Sequence, residues 1–467
     1  MDWKSESVDR SAVGTEGPEQ DGTPRKRRTA RTELICALIL GFATSASAQP
    51  REPVPLTRDQ VVALALQNDP SSAALEQRAE ALSSERTATM VGLFPDLGVS
   101  GSAARIGGFD EGQLPMPEGP VTIEVPRNRT TVRAEIVYPV SDALLRTRPA
   151  VEAVDHALDG NDALLEDRQL SRTLQAELAF LDYAEAEAER EVSQNALARA
   201  GEQHARIEAL HRAGSATSAA VAAARARRAE AQLAVIAAEQ RLRVRTTELS
   251  VLMDEPVPSR GWRAILPESD SLSGSPTEHL RQALANRADL AAVDASIRSE
   301  EGTSRAERAG ILPSVSIYGG YVLANPNPNA FPQTQRWDDS WEVGVRASWS
   351  LAGVVRSLGR ASAAEARASE LGANRTALEQ QIRREVDRAN ARWVSAVASE
   401  EAAGVAVEAA REAYEASASE LRVGQLVWVE LQEADLRLAR AELELKRAEI
   451  AGLRAAAALR RAIGGQR

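Results

Sequence analysis

The sequence predicts a mainly α-helical chain that also carries a share of a transmembrane β-barrel. Three observations predict it. The phrase GLFPDLGVSG at 92–101 returns as GILPSVSIYGG at 310–320. Each copy leads into a stretch of alternating apolar residues, and most of what remains keeps a helical rhythm with a seven-residue repeat. Setting each position against the one 218 further on extends the echo without a gap: Ala65-Leu66-Gln67-Asn68 meets Ala283-Leu284-Ala285-Asn286, Pro95 meets Pro313, and Gly101 meets Gly319. The chain therefore reads as a first repeat over 49–254, a linker over 255–275, a second repeat over 276–464 and a tail over 465–467.

Residues 1–48 read as an export signal. Arg25, Lys26, Arg27 and Arg28 precede the apolar run 34–42, and Ala46-Ser47-Ala48 gives the small-x-small pattern of a cleavage site. The run is too short to span a bilayer as a helix. The lone cysteine, Cys36, falls inside this segment behind the bulky Ile35, so neither acylation nor disulfide chemistry is expected of the mature chain. The segment holds equal numbers of basic and acidic residues, which leaves the formal charge of −11 on the rest and argues against nucleic-acid binding. Aromatic residues at 4% and charged residues at 26% suit long charged helices packed through small residues better than an aromatic core.

Each repeat opens with a helix signature. Thr57-Arg58-Asp59-Gln60 is a capping box, and Ser275-Pro276-Thr277-Glu278 places proline at the first helical position. Single opening helices are expected over 57–90 and 276–309. Strand signals follow, giving one hairpin over about 97–140 and another over 314–351. In the first, Val132, Ala134, Ile136, Tyr138 and Val140 share a face against Thr131, Arg133 and Glu135. In the second, Trp341, Val343, Val345, Ala347, Trp349 and Leu351 oppose Glu342, Arg346, Ser348 and Ser350. In an exported chain such a face reads as lipid-facing barrel strand, with half of a soluble sandwich as the alternative. Two hairpins cannot close a barrel, so the first reading requires partner subunits.

Helix is expected over 142–212, about 105 Å at 1.5 Å per residue, and over 215–252, 357–423 and 425–463. The two shorter helices of each repeat, stacked end to end, would match the one long helix. Leu431, Leu438, Leu445, Gly452 and Leu459 form a heptad line with Ala434, Ala441, Ala448, Ala455 and Ala462, which specifies left-handed coiled coil through close helix contacts. Val221, Arg228, Val235, Leu242 and Leu249 hold the same places in the first repeat. Charged residues such as Glu185, Glu187, Glu189, Arg225, Arg227 and Arg228 read as a solvated outer face.

The repeat openings ALQNDP and ALANRADL, the phrases around Gly92, Pro95, Gly310 and Pro313, the turns HRAGSATSAAV and LRVGQLVWVEL around Gly214 and Gly424, and the closing AIGG, taken in order and doubled, resemble the TolC family of outer-membrane efflux proteins. The resemblance covers Leu56 to Gly464. It implies a homotrimer in the outer membrane of a Gram-negative bacterium, with four strands per chain in a twelve-stranded barrel and a twelve-helix tunnel crossing the periplasm. It implies an inner-membrane transporter and a periplasmic adaptor, or membrane fusion protein, as partners. The glycine-proline phrases would mark the passage from helix to barrel, the glycines permitting the bend, and Gly214 and Gly424 would mark the periplasmic tips. Glu430 and Glu433 match the acidic residues that project into the narrowed tunnel end, and three copies would form a ring of six carboxylates. Leu421 and Leu426 stand where tyrosine and arginine link helices in the enteric members, and Ala220 supplies no acid at the first tip.

Enzyme chemistry finds no support: His156, His204, His211 and His279 lack metal-ligand spacing, and no phosphate loop, nucleophile elbow or pair of catalytic acids is present. His204 and His211, seven apart, read as two exposed histidines, and four methionines do not indicate a copper pathway. No cofactor is expected. The resulting expectation is a passive exit duct, with a periplasmic structural or adaptor coiled-coil protein as the alternative.

Overall fold

The first repeat starts with strand β1 (Val54–Thr57), helices α1 (Arg58–Gln67) and α2 (Pro70–Val91), and strand β2 (Asp96–Arg105). Two short strands, β3 (Gly112–Leu114) and β4 (Val121–Ile123), precede β5 (Asn128–Tyr138). A turn of helix, α3 (Val140–Asp142), continues through a π-helical turn over Ala143–Thr147 into the long α4 (Arg148–Arg212), followed by α5 (Ser218–Met253) and β6 (Trp262–Ile265). The second repeat consists of α6 (Pro276–Asn286), α7 (Ala288–Ala309), β7 (Ser314–Asn325), β8 (Asp338–Ser348), α8 (Leu351–Arg422) and α9 (Trp428–Ala462). These elements come from a computed structural model that describes residues 53–465 apart from 109–111, 115–116, 118, 120, 124–126, 268–271, 331–334 and 423–427. The expected export signal and Cys36 lie outside the described residues.

The duplication holds element by element. α2 and α7 share both ends at the 218-residue offset, while β5 and β8 share both ends at 210, because the second hairpin is shorter. The long α4 and α8 run about 100 and about 110 Å at 1.5 Å per residue. α2 and α5 lie along one side of α4, and α7 and α9 lie between α4 and α8. The shorter helices are thus stacked in pairs beside the long ones.

The opening helices are each broken, which corrects the expectation of single helices over 57–90 and 276–309. In the first repeat Asp69 takes an extended conformation and accepts a hydrogen bond from the Ser72 amide (3.1 Å), capping α2 with Pro70 in its first turn. In the second repeat Arg287, at φ −71° and ψ 122°, separates α6 from α7 without a side-chain cap. Both opening caps form as expected: Thr57 and Gln60 close a reciprocal box, and Ser275 Oγ accepts from the Glu278 amide at 3.2 Å.

The heptad seam carries the helical packing. Leu431, Leu438 and Leu459 are buried with Ala434, Ala448, Ala455 and Ala462, and in α5 Val235 and Leu249 are buried with Ala224, Ala231 and Ala238. Arg228, at a heptad position, is exposed. Small residues let α4 and α7 approach closely: a Cβ on Gly302 would lie 3.0–3.2 Å from Ala153, and one on Gly160 3.4 Å from the Ala295 methyl. Two larger cores sit near the helix breaks. One gathers Phe180, Tyr183, Leu249, Met253 and Trp262, the other Ile382, Val386, Leu459 and Ile463.

The four long strands form one antiparallel sheet in the order β2-β5-β7-β8, so the hairpins of the two repeats are joined through β5 and β7. The register puts Leu97, Val99, Ile136, Val132, Ile317, Leu323, Val345, Val343 and Trp341 on one face. That face is open, with Val343 71% and Trp341 76% exposed. The other face carries charge: Arg133 Nη1 lies 3.4 Å from Glu342 and Arg346 Nη2 3.5 Å from Glu135, across β7 at side-chain-free Gly320. Arg346 also stacks 4.5 Å above the Tyr318 ring. Val140 and Leu351, expected at the strand ends, instead begin helices α3 and α8.

Asp69 links this fold to pH. Its buried carboxylate accepts both Nε and Nη2 of Arg168 at 2.8 Å and the Ser72 hydroxyl at 2.8 Å. The Arg168 guanidinium holds it well below the usual carboxylate range, against the opposing effect of burial. A carboxyl depressed by folding stabilises the fold above its unfolded value near pH 4 and loses that contribution as pH falls further. Thermal unfolding in detergent from pH 7 to pH 2 is therefore expected to show an acid loss that Asp69→Asn flattens, with a cost at pH 7 of about 1.5–3 kcal/mol.

Candidate channel wall and aperture

Helix α4 presents opposite faces to two kinds of contact. Asp182, Glu185 and Glu189 recur at helical spacing on one face, between arginines of both flanking helices. From α5, Arg241 reaches Glu189 at 2.6 Å and Arg245 reaches Asp182 at 3.3 Å. From α9, Arg454 reaches Asp182 at 2.5 Å and Glu185 at 2.7 Å, while Arg447 lies 3.5 Å from Glu185 and 3.7 Å from Glu189. The expectation of a merely solvated charge run is corrected here: Glu185 and Glu189 hold three helices together. Glu187 points elsewhere, accepting the Ala264 amide at 2.9 Å, and burial pushes its carboxyl upward. Tyr183, one turn before it, donates its hydroxyl to the Trp262 carbonyl at 2.5 Å and meets that ring edge-on. Of the expected surface arginines, Arg225 and Arg228 are exposed, and Arg227 lies 3.6 Å from Glu230.

At the far end of α4 the turn is built by backbone and caps. Gly214 adopts φ +78°, a left-handed conformation that suits glycine. Its amide bonds the His211 carbonyl at 2.9 Å, and the Ser215 amide bonds Leu210. His211 Nδ1 sits 2.7 Å from the Ala216 carbonyl, and Thr217 caps α5. His204 is largely enclosed, 3.7 Å from Glu208, so it is not the exposed histidine expected of it. Gly424 and Leu426 lie outside the described residues.

On α9 the structure places Glu430 and Glu433 together on the exposed side, with Leu431, Ala434, Asp435 and Leu438 on the buried one. Arg437, one turn on, lies 3.1 Å from Glu433. Glu433 thus has its own counter-charge, whereas no ion pair is formed by Glu430 among the described residues.

Behind these glutamates lies a buried polar cluster that the sequence reading missed. Asp435, 1% exposed, accepts Arg199 Nε of α4 at 2.6 Å, and Arg199 also approaches Glu442 at 3.6 Å. Tyr414 of α8 lies in the same cluster, its phenol pushed up by burial and by the Asp435 charge. The spacing Leu431, Asp435, Leu438, Glu442 was the available signal, since it puts two acids on the heptad seam. At the helix-to-strand joints, Gly92 and Pro95 lie between α2 and β2, and Gly310 and Pro313 between α7 and β7. The two glycines have ordinary helical φ values, −64° and −68°, so they do not serve by permitting a bend. They leave room: a Cβ on Gly92 would lie 3.2 Å from Thr147, and one on Gly310 would collide with the Ser357 hydroxyl.

Removing one member of a buried ion pair strands the other. Asp435→Ala is therefore expected to cost about 3–5 kcal/mol by thermal unfolding, whereas Arg199→Met with Asp435→Leu should recover most of that loss.

Residues 279–465 match the family model described as outer membrane efflux protein. The fold is similar to that of the outer-membrane channel OprN (20% identity, TM-score 0.70, 88% of this chain and 90% of that one). It is similar to the outer membrane protein VceC of Vibrio cholerae (19%, TM-score 0.69, 87% and 96%). The open state of the Neisseria gonorrhoeae outer membrane channel MtrE gives 17%, TM-score 0.69, 92% and 96%. No curated protein matches the chain. The second repeat thus matches the outer membrane efflux protein family, and the whole chain shares the fold of solved outer-membrane channels.

Proposed function

We propose that the chain is one third of a passive exit duct: a trimer with a twelve-stranded barrel in the outer membrane and a twelve-helix tunnel across the periplasm. One observation carries this reading. Among the described residues the sheet has an open apolar face and two unpaired edges, β2 and β8, an arrangement that lipid tolerates only once the edges are closed. The helical layer supports the same closure. Its lateral members also expose apolar side chains, Leu233, Ile236 and Val244 on α5 and Val394, Val397 and Val405 on α8, which a neighbouring copy would cover.

On this reading 1–48 is the export signal, 49–254 and 276–464 are the two repeats, 255–275 joins them and 465–467 is a tail. Gly214 and Gly424 mark the periplasmic tips, where a periplasmic adaptor would dock and link the duct to an inner-membrane transporter that supplies the energy. Gly92, Pro95, Gly310 and Pro313 mark the passage from tunnel to barrel. Glu430 and Glu433 line the aperture. Arg437 beside Glu433 offsets part of the acidic ring, so Glu430 carries most of any cation preference.

The test is conductance of the detergent-extracted protein in planar lipid bilayers, with its mass measured alongside. A conducting trimer is expected; a soluble monomer without conductance would sink the reading. Replacing both Glu430 and Glu433 by alanine should raise conductance or weaken cation preference, and Arg437→Ala should strengthen that preference. Val343→Lys, on the apolar sheet face, should cost about 2–4 kcal/mol if that face lies at mid-bilayer, read as loss of membrane-inserted trimer.

A further inference from the structure

On the polar face of the sheet Gly98, Glu135, Gly320 and Glu342 are register partners in turn, one from each of β2, β5, β7 and β8. With glycine at two of the four places, the row presents two side chains, both carboxylates. They stand two strands apart, about 9.5 Å. Each is answered from the other's strand. Arg133 of β5 reaches over β7 to Glu342 of β8 (3.4 Å), and Arg346 of β8 reaches back over β7 to Glu135 of β5 (3.5 Å). Gly320 keeps the crossing clear, since a Cβ there would lie 3.4 Å from Glu342 Cγ. Tyr318 supports Arg346 on its way. The guanidinium stacks 4.5 Å from the ring centre, and the Tyr318 hydroxyl lies so close over β8 that a Cβ on Gly344 would be 2.8 Å from it.

The four charged side chains are 29–55% exposed in one chain, and ion pairs that open to water contribute little to stability. Their larger effect is on the space they face. In the proposed barrel that face lines the lumen, and three copies would set six carboxylates and six guanidiniums around it. Twelve strands about 4.8 Å apart, tilted by about 40°, place the backbone about 12 Å from the axis. Side chains narrow the passage further, so a Debye length of about 8 Å at physiological salt lets charge on the wall act across the opening. Without the two arginines the row would be a second acidic ring in series with the one at the tip.

We propose that Arg133 and Arg346 are charge-balancing residues of the barrel: by spanning β7 to opposite carboxylates they make this stretch of lumen indifferent to the sign of the cargo's charge and leave discrimination to Glu430 at the tunnel's far end. The inference rests on the proposed duct, because it needs the polar face of the sheet to enclose water.

A cysteine can report the local potential. Cys36 is the one cysteine of the chain and lies in 1–48, so residues 49–467 give a cysteine-free background. Ser100 of β2, exposed and the register partner of Arg133, is replaced by cysteine. Its rates of reaction with a cationic and an anionic methanethiosulfonate are then compared, in the lipid-reconstituted protein at low salt, with those of a free thiol in solution. The two reagents respond with opposite sign, so a change of about one kT in potential moves their rate ratio about sevenfold.

The parent ratio is expected to match that of the free thiol. Arg133→Gln with Arg346→Gln should raise it about sevenfold in favour of the cationic reagent, and Glu135→Gln with Glu342→Gln should lower it by about as much. Opposite signs separate charge from structure, because a sheet merely loosened by losing its ion pairs would move both variants the same way. Unmoved ratios, or shifts of one sign, would overturn the balancing. Should the double variants fail to insert, Arg346→Gln and Glu342→Gln alone are expected to give smaller shifts of opposite sign, and the same two outcomes would overturn it. Mass and conductance of the parent, measured first, test the duct by themselves. A soluble monomer sinks the duct and the balancing together, whereas a conducting trimer with unmoved ratios sinks the balancing alone.

Discussion

Backbone amides and carbonyls cannot be left unpaired in hydrocarbon, and in the proposed duct this requirement governs the whole molecule. Four strands in the order β2-β5-β7-β8 leave a row of such groups at each side. In the proposed trimer, closing the sheet against further copies removes both rows, and it obliges the helices below to close as well, since each strand is continuous with a helix through a short joint. The lateral apolar residues of α5 and α8 suit that obligation. So does the stacking of short helices beside long ones, which gives a wall of even height on both flanks of α4.

Much of this was legible in the sequence because it is periodic. The 218-residue echo, the alternation in β5 and β8, and the leucine-alanine line of α9 each follow from a repeat that local sequence records. The breaks were less legible. Helical periodicity continues on both sides of Asp69, so the run reads as one helix unless Asp-Pro is taken as a cap followed by a first-turn proline. Arg287 gives no comparable local sign; its extended backbone is held by Glu385 and Asp289, and the first of these is remote in sequence. The ion pairs of Asp182, Glu185 and Glu189 were hidden for the same reason, since their partners lie on α5 and α9.

The candidate aperture divides in the same way. Glu430 and Glu433 could be placed on one face from their spacing, and Arg437 four residues beyond Glu433 was readable as its partner. Asp435 was not singled out, although it lies on the seam. Its burial depends on Arg199 from another helix, and a charge inside a coiled-coil seam is tolerated only with such a partner. The glycines at the joints show a different limit. Their types were correctly noticed, but their reason is the close approach of Thr147 and Ser357, which chain-local reasoning cannot supply.

The ion-pair lattice around Asp182, Glu185 and Glu189 has a mechanical consequence. Sliding α4 along its axis by one turn, about 5.4 Å, would carry every one of these carboxylates past its arginines at once, so the middle of the wall is stiff to shear. Below Glu189 the seam is mostly alanine, fastened by Arg199 and Asp435. The stretch from Glu189 to the turn at Gly214 is then a lever about 35–40 Å long at 1.5 Å per residue, with the lattice as its fulcrum. A tilt of about 10° there displaces the tip by about 6 Å, enough to change the width of the opening in the proposed duct while the sheet at the other end of the helices stays still.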